Sequence, residues 1–138
     1  LMQSQLDPEL LKAYRETDYI ISDDPPLMLK IGEQSDDAKI LLASFGTNNG
    51  AFITAWNPHS TILKDQENDD RQAALLAEIE MRRLNYLVGY GERRDWREYS
   101  FFILRKGHED ATALAHQFEQ NAYVWVGRDG LPELVTMI

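Results

Sequence analysis

No cysteine occurs in the 138 residues, which excludes disulfides, thiol catalysis and thiolate metal sites and leans toward the cytoplasm. Long hydrophobic runs are missing as well. The longest, such as YSFFIL and NAYVWV, fall far short of the roughly 20 residues that a membrane helix needs. The opening residues LMQSQLDPELL contain no basic segment followed by an apolar one, so no signal peptide is expected. Catalytic signatures are lacking too. There is no G-x-x-x-x-G-K-[ST] and no G-x-S-x-G, and GYGERRD carries Arg94 where the third glycine of a dinucleotide fingerprint belongs. His59, His108 and His116 are scattered, none with a second histidine or a carboxylate at helical ligand spacing, so neither metal nor cofactor is expected.

What is present describes one globular domain with its own core. Hydrophobic residues make up 43% and charged residues 27%, ordinary values that exclude disordered and fibrous classes. The net charge of −9 is uneven. Residues 1–70 hold five basic and thirteen acidic groups, and this acidic half argues against nucleic acid as a partner. Within 82–106, however, seven basic residues face three acidic ones. That segment is an ordinary solvated surface or a place that attracts a small anion.

The pattern along the chain alternates helices and strands. Asp7 and Pro8 open a helix to about Glu16 with Leu10, Leu11 and Tyr14 on its buried stripe. DYII and PLMLKI read as a hairpin. Ser35 caps a second helix, which Gly46 closes. AFITAW has apolar or small residues on both alternating sets and reads as a central strand. Asn68 is expected to cap the longest helix, running to about Leu84 with Leu75, Leu76 and Ile79 inward. Gln72 and Arg83 on that stripe are unusual. NYLV is a strand, GYGERRDW a loop and EYSFFIL a buried strand. Asp110 begins a last helix that buries Ala111, Leu114, Ala115 and Phe118. AYVWV and PELVTMI then form a hairpin. The order predicts a single α+β domain over 1–138, with a mixed sheet of five to six strands and three to four packed helices.

Several residues have both a structural and a functional reading. Trp56 is core packing or a stacking platform at a pocket rim. Asn57-Pro58 starts a turn, or its amide reads a ligand. Asn68 is a helix cap or an orienting group. Arg71, one turn in, pairs with Glu67 or Asp70 or faces an anion. Arg93 and Arg94, between Gly91 and Trp96, are exposed charges or the forks of a mobile lid. Glu98 shares a strand face with Ser100 and is either a buried partner of Arg71 or Arg97 or a general acid or base. Gln120 and Asn121 satisfy backbone groups at a helix-to-strand junction.

FITAWNPHS, EN-x-x-R from Glu67 to Arg71, the G-x-G before W-x-E-x-S (Trp96, Glu98, Ser100), and LAHQFEQNAYVW follow one another in order. This series resembles the bacterial domain-of-unknown-function family 3293, over most of the chain. The resemblance implies no activity. Glu119 stands where that family usually has glycine, so the helix is expected to continue through it. If the AFITAW and NYLV strands are parallel, a right-handed crossover brings Trp56, Asn57, Asn68, Arg71 and the 89–96 segment to one sheet edge. The leading expectation is binding of a small anionic, nucleotide-like ligand there. Arg71, Arg93 and Arg94 would hold its charge, Trp56 and Trp96 would stack on it, and Asn57 and Asn68 would orient it. The alternative is a protein-interaction or regulatory module with a protein partner and no small-molecule chemistry. Whether the chain is an enzyme stays open, with Glu98 the one catalytic candidate.

Overall fold

The computed structural model describes residues 6–104 and 107–137. Arg105 and Lys106 of the basic segment, and Ile138 of the last strand, lie outside the described residues. The elements are α1 (Pro8–Glu16), β1 (Asp18–Ile21), β2 (Leu27–Leu29), α2 (Asp36–Ser44), β3 (Gly50–Ile53), a short 3-10 turn (Pro58–Ser60), α3 (Asp65–Met81), β4 (Asn85–Arg93), β5 (Trp96–Leu104), α4 (Glu109–Gln117), β6 (Ala122–Val126) and β7 (Pro132–Thr136).

The α+β class holds, with a different sheet. Among the described residues it has seven strands in the order β2-β1-β4-β5-β3-β6-β7. Each neighbouring pair is antiparallel, where a mixed sheet of five to six strands was expected. The extra length comes from GYGERRDW. Read as a loop, it is instead the end of β4 and the turn into β5, with Gly89 opposite Ser100 and Gly91 opposite Glu98. Glycine in that strand has a packing cause: a Cβ at Gly89 would stand 2.5 Å from the carbonyl oxygen of Ile20 on β1.

The pairing also changes how β3 and β4 relate. They are not neighbours. Both pair antiparallel with β5, where Ile53 and Val88 each face Phe101, so β3 and β4 run in the same direction with β5 between them. Their C-terminal ends therefore reach one edge, as expected, without the parallel pairing that was assumed.

Each face of the sheet has a core. α3 and α4 lay Leu75, Ile79, Leu114 and Ala115 on Ile53, Phe101 and Ile103. On the other face α2 lays Ala38 and Leu42 on Phe52, Phe102 and Val124. Asp7 caps α1 by accepting from the Glu9 N–H at 2.9 Å, and Ser35 caps α2 by accepting from the Ala38 N–H at 3.1 Å. α3 begins at Asp65, three residues before the expected cap, and Asn68 lies inside it, 1% exposed. α4 ends at Gln117 and does not continue through Glu119, which takes φ +58 while Gln120 N–H returns to the Ala115 carbonyl at 2.8 Å. The left-handed residue that closes this helix is a glutamate in a place glycine fills more easily.

Candidate functional site

The common end of β3 and β4 opens into a cavity of about 290 Å³. Its floor is the sheet, where Phe52, Gly91, Glu98 and Ser100 present one face. α1 covers it with Leu10, Ala13 and Tyr14, and the 57–62 segment closes one side with Asn57, Ser60 and Ile62.

That side wall is built from strained backbone. Asn57, His59 and Ser60 have φ of +48, +50 and +62. Non-glycine residues in this region cost about 1–2 kcal/mol each, although asparagine tolerates it best. Such a run persists where surrounding contacts over-determine it. Asn57 N–H donates to Asn68 Oδ1 at 2.9 Å. Its own Oδ1 accepts from the Leu63 N–H and from Asn68 Nδ2, both at 2.9 Å. His59 N–H donates to the Glu119 carbonyl at 2.7 Å, and Asn121 Nδ2 donates to Ser60 Oγ at 2.9 Å.

Asn57 has one further bond, from Nδ2 to Glu98 Oε1 at 3.2 Å. The Trp96 side chain also lies near enough to the Glu98 carboxylate to favour its charged form. Burial pushes the Glu98 pKa above the ordinary carboxylate range, and these two side chains only partly offset that. The expected partners of Glu98 are engaged elsewhere: Arg97 reaches Glu92 at 3.2 Å and lies over the Tyr90 ring. Tyr14 hangs from α1 into the cavity, which the Ser60 side chain also lines. Burial first, with the nearby Glu98 charge adding, pushes its phenol upward.

The residues singled out from sequence divide into two groups. Trp56, Asn57, Arg93, Trp96 and Glu98 line the cavity. Trp56 is 8% exposed and packs edge-on against Tyr99, while Trp96 is 42% exposed at the mouth. Arg93 makes a 3.4 Å contact with Glu16 of α1. Asn68 sits one layer behind, holding Asn57. Arg71 and Arg94 do not line the cavity. Arg71 Nε donates to the Ala55 carbonyl at 2.8 Å and Nη2 to the Phe118 carbonyl at 2.6 Å, so its guanidinium clamps two chain ends together. The neighbouring Gln72 accepts from the Ala55 N–H at 3.0 Å, which accounts for a polar residue on that apolar stripe. Arg94 is at the tip of the β4–β5 turn with φ +59, exposed. The segment read as exposed charges or a mobile lid is a paired hairpin.

Tyr14, Tyr19, Phe52 and Gln120 complete the cavity and were not singled out for it. Nothing in their local spacing points there. Tyr19 reaches the site only because β1 pairs with β4, setting it opposite Gly91. Gly91 did carry a signal, since glycine inside a strand marks a close approach: a Cβ there would lie 3.2 Å from Thr17 Cγ2 and 3.7 Å from the Tyr19 ring. Among the described residues, no three histidine, aspartate or glutamate side chains gather closely enough to hold a metal ion, and no helix is long and apolar enough to cross a membrane.

No curated protein and no solved structure matches the chain. A family model described as a protein of unknown function (DUF3293) matches residues 53–123. The span is narrower than the resemblance over most of the chain. It runs from the end of β3 into β6 and takes in Trp56, Asn57, Arg93, Trp96 and Glu98, while the α1 and β1 walls precede it. With more than half of the sequence matched, the chain belongs to the DUF3293 family of proteins of unknown function.

Proposed function

We propose that the cavity binds a small, flat, nitrogen-bearing molecule of nucleobase size. The observation that carries this reading is Glu98: a carboxylate in an aromatic-walled pocket, held by the Asn57 side chain and, among the described residues, in ion-pair contact with no lysine or arginine. An acceptor in such surroundings suits ring N–H or amino groups, whose hydrogen bonds to a charged acceptor are stronger than neutral ones. Phe52, Tyr19, Trp56 and Trp96 supply faces and edges for a ring. The volume of about 290 Å³ is at the lower end of ligand pockets, which run to about 1,000 Å³.

This narrows the expectation of an anionic, nucleotide-like ligand. Two of the three arginines assigned to its charge, Arg71 and Arg94, do not line the cavity, so the ring is the better supported part. The alternative, an interaction module, would draw on the uncovered sheet surface around Val88 and Tyr99, 51% and 47% exposed. That surface carries no mark of one particular occupant, and the pocket therefore carries the reading.

Two-dimensional NMR titration with adenine, cytosine and aniline tests it. Shifts should concentrate on the Trp56 and Trp96 indole N–H signals and on Gly91. Trp96→Ala should weaken them, and Gly91→Val, whose side chain grows toward Thr17 and Tyr19, should abolish them. A folded wild type that answers none of the three probes would sink the proposal, as would shifts confined to another surface.

A further inference from the structure

We propose that the ligand of this pocket carries an acidic group as well as a ring, and that Glu16 of α1 occupies the acid's position by pairing with Arg93 in its absence. The inference rests on the pocket reading above and adds the second half of the ligand and a residue that selects for it.

The β4–β5 hairpin sets the geometry. Gly91 faces Glu98, and Arg93 faces Trp96, one two-residue repeat nearer the turn. Residues two apart on a strand present the same face, about 7 Å along it. Arg93 and Glu98 both line the cavity, so a cationic and a hydrogen-bond-accepting residue stand on its wall about one such repeat apart along the hairpin. Between them Gly91 leaves the floor open, and Trp96 flanks the Arg93 end. A flat ring with an amino group at one end and a carboxylate or phosphate at the other matches this order of groups. Arg93 presents a planar fork suited to either anion.

Glu16 is the competitor. Its Oε1 stands 3.4 Å from Arg93 Nε, and the two side chains are 40% and 31% exposed, so the pair is neither short nor deeply buried. Ion pairs of that kind contribute at most about 1 kcal/mol and exchange readily. Glu16 ends the helix that covers the pocket. The Lys30 ammonium holds its backbone carbonyl at 3.0 Å, so the carboxylate can leave Arg93 while the chain stays in place. An incoming acid replaces Glu16 on the guanidinium, and a neutral ligand leaves that pair intact.

Two probes that differ by one group separate these cases: aniline, and 4-aminobenzoate, which adds a carboxylate across the ring. Their dissociation constants are measured by NMR titration in the full chain. In wild type, 4-aminobenzoate should bind more tightly than aniline. Glu16→Gln should raise 4-aminobenzoate affinity about threefold to fivefold, the scale of one part-exposed ion pair, and leave aniline unchanged. Arg93→Gln should erase the difference between the probes. Asp18→Asn, which removes a like charge two residues away, should alter neither. An equal gain for both probes in Glu16→Gln, or the same gain in Asp18→Asn, overturns the role of Glu16. Equal affinity of both probes in wild type and in Arg93→Gln overturns the acidic group while the pocket stands. Failure of both probes to bind folded wild type removes the pocket and this inference together.

Discussion

Replacing Asn68 with alanine distinguishes a helix cap from a buried scaffold of the site. Asn68 is 1% exposed, and its amide makes two 2.9 Å hydrogen bonds with Asn57, one to the backbone and one to the side chain. Each such bond contributes a net stabilisation of about 1 kcal/mol. The Asn57 N–H left behind in the interior adds about 1–3 kcal/mol for an unsatisfied buried donor. The expected loss is therefore about 3–5 kcal/mol. A surface cap replaced by alanine loses only about 1 kcal/mol. With a urea slope of about 2 kcal/mol/M for a domain of this size, the midpoint should fall by about 1.5–2.5 M at constant slope. Released from Asn68, Asn57 also ceases to hold its left-handed φ of +48 and its 3.2 Å bond to Glu98. The Trp96 indole signal, near that carboxylate, should shift in the folded variant. A loss near 1 kcal/mol with an unchanged Trp96 signal would refute the scaffold reasoning.

Three further outcomes follow from the same contacts. Glu119→Gly relieves a left-handed residue worth about 1–2 kcal/mol and loses only part-exposed contacts to Arg71 and His59, at 3.5 and 3.7 Å. Thermal unfolding should show no loss and a gain of up to about 1 kcal/mol, and a loss larger than that would contradict it. Arg71→Ala uncaps the Ala55 carbonyl and removes one of the two side-chain donors to the Phe118 carbonyl, leaving Gln120, and should cost about 2–3 kcal/mol in urea. Adenine affinity of the folded fraction should change less than threefold, and abolished binding with intact stability would reverse the assignment. Glu98 has a folded pKa raised above its ordinary 4.5, so between those two values the folded state binds more protons than the unfolded chain. Stability should accordingly fall as pH rises through that window. Glu98→Gln should flatten this dependence, and identical pH profiles for the two proteins would argue against burial of the charge.

Local physical chemistry made much of the secondary structure legible. Asp7-Pro8 and Ser35 announce helix starts because their side chains or ring satisfy the orphaned first turn, and Gly46 stops α2 because it adopts φ +67 without penalty. AFITAW declares itself central because both of its faces are apolar. GYGERRDW misleads for an equally physical reason. Two glycines and a charge cluster favour a loop when only neighbours in sequence are counted, yet Gly89 is required by the Ile20 carbonyl pressing on it from another strand. Asn68 misleads similarly, since asparagine favours caps locally but its amide is needed in the interior by Asn57.

The sequence by itself determined an α+β chain with helices at 8–16 and 36–44 and a central strand ending at the Trp56-Asn57 turn. Those features depend on side-chain period and capping groups within a few residues of one another. Only the tertiary structure decided which candidates share a cavity. Strand order set Tyr19 beside Gly91 and Glu98 beside Asn57, and it turned Arg71 onto two backbone carbonyls. A charged group's task depends on which partner comes within hydrogen-bond reach of it, and for Arg71, Arg93 and Glu98 the partners at Ala55, Phe118, Glu16 and Asn57 come from 16 to 77 residues away.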